Sequence, residues 1–238
     1  MKRKALLIGN THGLPGVKID LKKFEHFLLS DTGGAWQASE IETIQNPSKL
    51  HLINKIEITK LHKYDFVIVL FSGHGGHARR TILEINQAGE SIEDSQLHGI
   101  SSRQITVHDC CRSILQPVVE SMTLESAELM VKKSFNDVRQ RYDKRILQAI
   151  PQQVKLYSCS IGQVAYDTKD GGIYTSNLLA SARAISMNQA DKTIGAAHQE
   201  SIEPTQRQSK EIGGSAQTPD AVLPRCLTQQ QLIISIKP

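Results

Sequence analysis

The chain has 238 residues, of which 39% are hydrophobic and 22% charged, and its formal net charge is +4. This length supports one sizeable core, and the balance excludes wholesale disorder. Basic residues are scattered among acids, and only five Phe, five Tyr and one Trp are present, so no nucleic-acid surface is expected.

Residues 5–8 are a short apolar run closed by Gly9 and Asn10 and read as a buried strand. Val17, Leu21, Phe24 and Leu28 recur at helical spacing after the Pro15-Gly16 turn. Residues 41–44 form a weaker strand, and Leu50, Ile53, Ile56 and Ile58 mark a helix over 50–61. Residues 66–71, an unbroken Phe-Val-Ile-Val-Leu-Phe run, predict a fully buried strand. Residues 81–86 suit a hairpin arm, and residues 105–107 another short strand.

The segment 124–150 places Leu124, Val131, Phe135, Val138, Tyr142, Ile146 and Ala149 on one face, predicting an amphipathic helix stopped by Pro151. A strand over 154–159 and a helix over 174–185 follow. The polar stretch 188–224, with Gly213-Gly214 and three prolines, reads as long, partly mobile loops before a last strand over 232–236. Strands alternating with helices imply an α/β fold with a mainly parallel sheet. One domain over 1–238 is expected, with a helical, linker-like insertion at about 114–152.

The four cysteines include the adjacent pair Cys110 and Cys111, a poor start for a disulfide framework, and no spacing matches a zinc ribbon. No run reaches the ~18 apolar residues of a membrane helix, and the apolar start is too short for a signal peptide. A protein of the reducing cytoplasm, with no membrane partner, is expected.

Two strand ends carry chemistry: Ser72-Gly73-His74-Gly75 and Asp109-Cys110-Cys111-Arg112-Ser113. Ligands of open α/β sheets bind at the carboxyl ends of strands. If these two strands are neighbours, His74 and Cys111 face one crevice, where an imidazole activates a thiol. The plainer alternatives stay open: a lone strand cysteine is more often a buried hydrophobe. A zinc grouping of His74, His77 and His108 with a cysteine meets no standard spacing, so neither metal nor cofactor is expected.

Phe71-Ser72-Gly73-His74-Gly75 resembles the histidine motif of caspases and metacaspases, and Asp109 to Ser113 resembles the cysteine motif of metacaspases and prokaryotic caspase-like peptidases. Tyr157-Ser158-Cys159-Ser160-Ile161-Gly162 and Lys169-Asp170-Gly171 resemble the substrate-binding strand and following loop of caspases. The first strand, Gly16, Asp20 and Gln217-Thr218-Pro219 also fit the family's pattern. The resemblance implies a three-layer caspase-like fold, with a central sheet of about six strands flanked by helices.

It further implies a cysteine endopeptidase with a Cys-His dyad. Cys111 is the nucleophile, His74 the general base, and the Gly75 and Cys111 N–H groups hold the oxyanion, with no third member evident. Ser158 falls on the substrate-binding strand.

Caspases grip an aspartate side chain with two arginines and a glutamine. Here Leu14 stands at the first arginine position, Asp109 at the glutamine and Asp167 at the second arginine. Two carboxylates favour a basic side chain, so cleavage of protein or peptide substrates after Arg or Lys is expected. Plainer readings make Asp109 a cap of local N–H groups and Asp167 a solvated loop residue.

The segment 124–150 corresponds to the linker that caspases cut on maturation. It holds Lys132, Lys133, Arg139, Arg141, Lys144 and Arg145, hence candidates for self-processing. Small caspase-like proteins of this kind are often bacterial, and some act in antiviral defence or regulated cell death, a role expected by analogy alone. Activation by a partner protein, by processing, or no need of it at all stays open, as does the oligomeric state, for which the strand at 232–236 is a candidate edge. The alternative from another class is a scaffold acting mainly by partner binding.

Overall fold

In the computed structural model the described residues are 1–114, 137–212 and 214–238. In chain order the strands begin with β1 (Arg3–Gly9), β2 (Ile41–Gln45), β3 (Phe66–Ser72), β4 (Gly75–His77), β5 (Thr81–Glu84), β6 (Ser91–Glu93) and β7 (Arg103–Asp109). They continue with β8 (Gln152–Tyr157), β9 (Asp167–Thr168), β10 (Gly171–Gly172), β11 (Asp191–Thr193), β12 (Asp220–Val222) and β13 (Ile233–Ile236). The helices are α1 (Pro15–Leu29), α2 (Lys49–Leu61), α3 (Asp137–Gln148), α4 (Ile173–Arg183) and α5 (Ile194–Glu211).

The main sheet runs β12-β8-β7-β3-β1-β2, parallel throughout except for β12, which pairs antiparallel with β8. All seven residues of β3 are buried, because this central strand is covered on both faces. Alternation along the strands divides the core in two. Ala5, Leu7, Ile68, Leu70, Ile105 and Val107 pack with α1, α3, α4, α5 and β13. Leu6, Ile8, Val67, Val69 and Phe71 pack with α2 and the small antiparallel sheet β4-β5-β6. The result is the expected three-layer α/β arrangement.

Three expectations need correction or restriction. The stretch 188–224 is not simply loop: it holds β11, β12 and the 18-residue helix α5. The buried face of α5 is Ile194, Ala197, His198, Ser201, Thr205 and Ser209, helical spacing written in small and polar residues rather than aliphatic ones. The hydroxyls are satisfied within the helix: Ser201 Oγ donates to His198 O and Thr205 Oγ1 to Ser201 O, each at 2.7 Å. Thr193 caps the start by accepting from Ala196 N–H, and tertiary burial outweighs the break that Pro204 would otherwise make.

The last strand forms a separate two-stranded sheet with β11 and is fully buried, which is what removes it as an exposed edge; among the described residues the main sheet's edges are β12 and β2. Of the helix expected over 124–150, the described part is α3, with Val138, Tyr142 and Ile146 buried. Residues 115–136, including Lys132 and Lys133, lie outside the described residues.

Two of the basic residues of α3 are anchored to the body of the fold, whereas Arg141 and Lys144 are exposed. Arg139 donates to Glu40, and Arg145 to Asp191 and to Gln231 O. Beneath α3 the fully buried Arg3 side chain donates to Asp143 and to the carbonyls of Gly34 and Ala35. Its guanidinium carbon lies 4.6 Å from the Trp36 ring centroid. The burial of this cation is thus matched by charge and hydrogen bonds.

Candidate active site

β3 and β7 are adjacent and parallel, with Ser72 opposite Asp109 in register. Their carboxyl ends therefore release the His74 and Cys111 segments side by side, and both residues line one cleft with Asp20, Asp109, Asp167 and Leu14. Gly73 N–H donates to Asp109 O, tying the two strand ends together.

His74 Nε2 lies 2.7 Å from the backbone oxygen of His12. A carbonyl only accepts, so Nε2 is the donor in this contact, and Nδ1 is the ring nitrogen left for proton transfer. The group that orients the base is thus a main-chain carbonyl of the loop after β1.

Cys111 is partly buried. Its Sγ receives Ala165 N–H at 3.4 Å and faces Ala165 O at 3.6 Å. Burial pushes its thiol above the ordinary value, the Ala165 N–H works the other way, and the nearby Asp109 charge adds to the rise. At neutral pH the side chain is a thiol and needs a base to become a nucleophile.

Cys110 is buried, with its thiol pushed far up by burial. A Cβ on Gly75 would lie 2.8 Å from Cys110 Sγ and 2.9 Å from Cys111 O, so only glycine fits against the cysteine segment.

Ser158 is fully buried and is not among the residues lining the cleft. Its hydroxyl receives Cys110 N–H and donates to Cys110 O, both at 3.1 Å, and so it holds the cysteine segment from behind. Gln217, also fully buried, donates to Ser158 O and accepts from Tyr166 N–H, fastening the loop that carries Ala165 and Asp167.

Three carboxylates converge on the cleft. Asp109 Oδ2 accepts from the Thr175 N–H at 3.0 Å and from its hydroxyl at 2.6 Å. Asp20 Oδ1 accepts from Gly172 N–H and its Oδ2 from the Ser72 hydroxyl. Thr175 is in the first turn of α4 and Gly172 is its cap, so both acids benefit from the positive end of that helix. The capping role expected as the plainer reading of Asp109 is therefore real. A Cβ on Gly172 would lie 2.4 Å from Asp109 Oδ2, so this close approach requires glycine.

Asp167 Oδ2 accepts from Gly16 N–H at 3.0 Å, while its Oδ1 is buried with no partner among the described residues. Burial, and then repulsion from Asp109, pushes Asp20 up to about 8 despite the opposing hydrogen bonds from Ser72 and Gly172. Burial raises Asp109 and Asp167 as well. The sequence reading missed Asp20 as a pocket acid, although the signal was there: an aspartate on the same helical face as Val17, Leu21 and Phe24.

The zinc grouping of His74, His77 and His108 with a cysteine is not assembled. His74 opens onto the cleft, whereas His108 is fully buried and paired with His98. No helix among the described residues is long and apolar enough to cross a membrane.

The family model described as caspase domain matches residues 2–220. Caspase-1 from Spodoptera frugiperda is similar in structure, at 13% identity and TM-score 0.59, covering 93% of this chain and 86% of that one. A structural-genomics protein from Geobacter sulfurreducens is similar at 14% identity and TM-score 0.61, covering 99% of both chains. At these identities the two likenesses show the fold. No curated protein matches the chain.

Proposed function

Since the chain belongs to the caspase domain family, we propose that it is a cysteine endopeptidase with a Cys111–His74 dyad, cleaving after Arg or Lys. The observation that carries this reading is the sharing of one cleft by His74, Cys111 and the carboxylates Asp20, Asp109 and Asp167.

In the proposed reaction His74 Nδ1 takes the Cys111 proton, and the thiolate adds to the scissile carbonyl carbon. The oxyanion is received by the N–H groups of Gly75 and Cys111. Collapse breaks the C–N bond, and the leaving amine takes the proton from the imidazolium. A water molecule, deprotonated by His74, then hydrolyses the thioester and regenerates the thiol.

A cationic side chain before the scissile bond meets the unpaired Asp167 Oδ1 and the Asp20–Asp109 pair. An acidic side chain would add a fourth carboxylate to a site already holding extra protons. The test is covalent capture by a peptidyl chloromethyl ketone ending in Arg. The expected result is a single thioether on Cys111, mapped by mass spectrometry and absent with the matching Asp reagent. Labelling elsewhere, or equal labelling by both reagents, contradicts the proposal.

One observation favours the second reading, a binding scaffold: Cys111 Sγ is engaged with the Ala165 backbone of a neighbouring loop. A scaffold binds Arg peptides stoichiometrically without turning them over.

A further inference from the structure

Another chemistry-bearing cluster lies across the main sheet from the cleft. On β7, Ile105 and Val107 face the layer holding α1 and α4. Alternation therefore turns His108 to the opposite face, where its ring stacks on Tyr157 with centroids 4.9 Å apart. His108 Nε2 is 3.3 Å from His98 Nε2. Asp94, four residues before His98, accepts the Tyr157 hydroxyl on Oδ2 at 2.7 Å. One ligand atom each from Asp94, His98 and His108 lies within 4.8 Å of the others.

As a purely protein network this is poorly satisfied. The fully buried His108 Nε2 has only a long contact with another imidazole, and Nδ1, which an ion at Nε2 would leave as it is, has no partner among the described residues. Leaving such a group unpaired in the interior costs about 1–3 kcal/mol.

We propose that Asp94, His98 and His108 form a site for one divalent transition-metal ion, with Zn2+ the best match. Two ligands of a tetrahedral ion at a Zn–N distance of ~2.0–2.1 Å stand about 3.3–3.4 Å apart. The two Nε2 atoms already stand at that separation. The Asp94 carboxylate, within 4.8 Å of both nitrogens, supplies the third ligand, and water takes the fourth position.

Two imidazoles with a single carboxylate suit Zn2+, Co2+ or Ni2+ and not the oxygen-seeking Ca2+ or Mg2+. The positive charges of Lys155 and Arg112 weaken the site, and the Asp94 carboxylate offsets them. The ion fastens the turn that follows β6 to β7, three residues before Cys111 and on the far side of the sheet from the cleft, so it stabilises the fold without occupying the cleft.

The test uses the full chain, tag-free and chelator-treated, carrying Cys111→Ala so that the dyad thiol cannot bind the ion. Co2+ titration is followed by visible absorbance, and Zn2+ is measured by competition and calorimetry. The expected result is one equivalent bound, with ligand-field bands, no thiolate charge-transfer band and a raised melting temperature.

His98→Ala, at a partly exposed position, and the isosteric Asp94→Asn are each expected to weaken binding at least about tenfold. Even an outer partner of a metal ligand is worth that much. The metal-free melting temperature should change little. Absence of one-to-one binding, a thiolate band, weakening below tenfold in both variants, or equal affinity for Ca2+ overturns the proposal.

Discussion

Asp167→Asn changes one charge in the cleft while keeping the side chain's shape. The amide oxygen can still accept from Gly16 N–H, as Oδ2 now does at 3.0 Å. The atom that changes character is Oδ1, buried and without a partner among the described residues, which becomes an NH2 in a residue that lines the cleft. A hydrogen bond to a charged group contributes about 1.5–3 kcal/mol, and each ~1.4 kcal/mol is a factor of ten in rate. The expected fall in kcat/KM for Arg and Lys peptides is therefore about 10- to 150-fold. Because Asp167 is only partly buried, screening draws the value toward the lower end. The assay compares wild type and variant on peptides that differ only in Arg, Lys or Leu before the scissile bond. Hydrolysis after Leu should change less than about threefold. A fall below threefold on the Arg peptide, or the same fall on Arg and Leu peptides, would refute the reasoning, since the carboxylate would then not be reading the side chain's charge.

Cys111→Ala should abolish turnover, by about 10⁴-fold or more, whereas Cys110→Ala should keep most of it because that buried thiol is pushed far up and holds its proton; progress curves on one Arg peptide decide this. Gly75→Ala should cost about 100-fold in kcat, because its Cβ would push the cysteine segment out of place; unchanged kcat in a folded variant counts against the assigned role of Gly75. Asp20, raised from 3.8 to about 8, holds its proton more tightly folded than unfolded. Its contribution to stability is thus full below about pH 4 and lost as pH rises toward 8. Melting curves across that window should flatten in Asp20→Asn, with the variant gaining most at pH 8; an unchanged slope would place the raised acid elsewhere.

The main sheet was readable where strands are unbroken apolar runs, as in residues 66–71, because burial on both faces removes polar alternation. Helix α5 was not, since its inward face uses Ser201, Thr205 and Ser209 bonded to their own helix, which a hydrophobic pattern cannot register. The pairing of β13 with β11 joins segments whose patterns carry no register information. At the cleft, the strand ends pointed to His74 and Cys111. The orienting group of His74 was invisible because it is the main-chain oxygen of His12, which any residue supplies. Asp20 was visible as an acid on an apolar helical stripe, but nothing local says which acids it meets across the fold.

The central claim is tested most directly by the hydrolysis of four matched peptides ending in Arg, Lys, Asp and Leu by wild type and Cys111→Ala. The account predicts cleavage after Arg and Lys, little after Leu, none after Asp, and complete loss with Cys111→Ala. Preferred cleavage after Asp, or turnover that survives the loss of the Cys111 thiol, would contradict it.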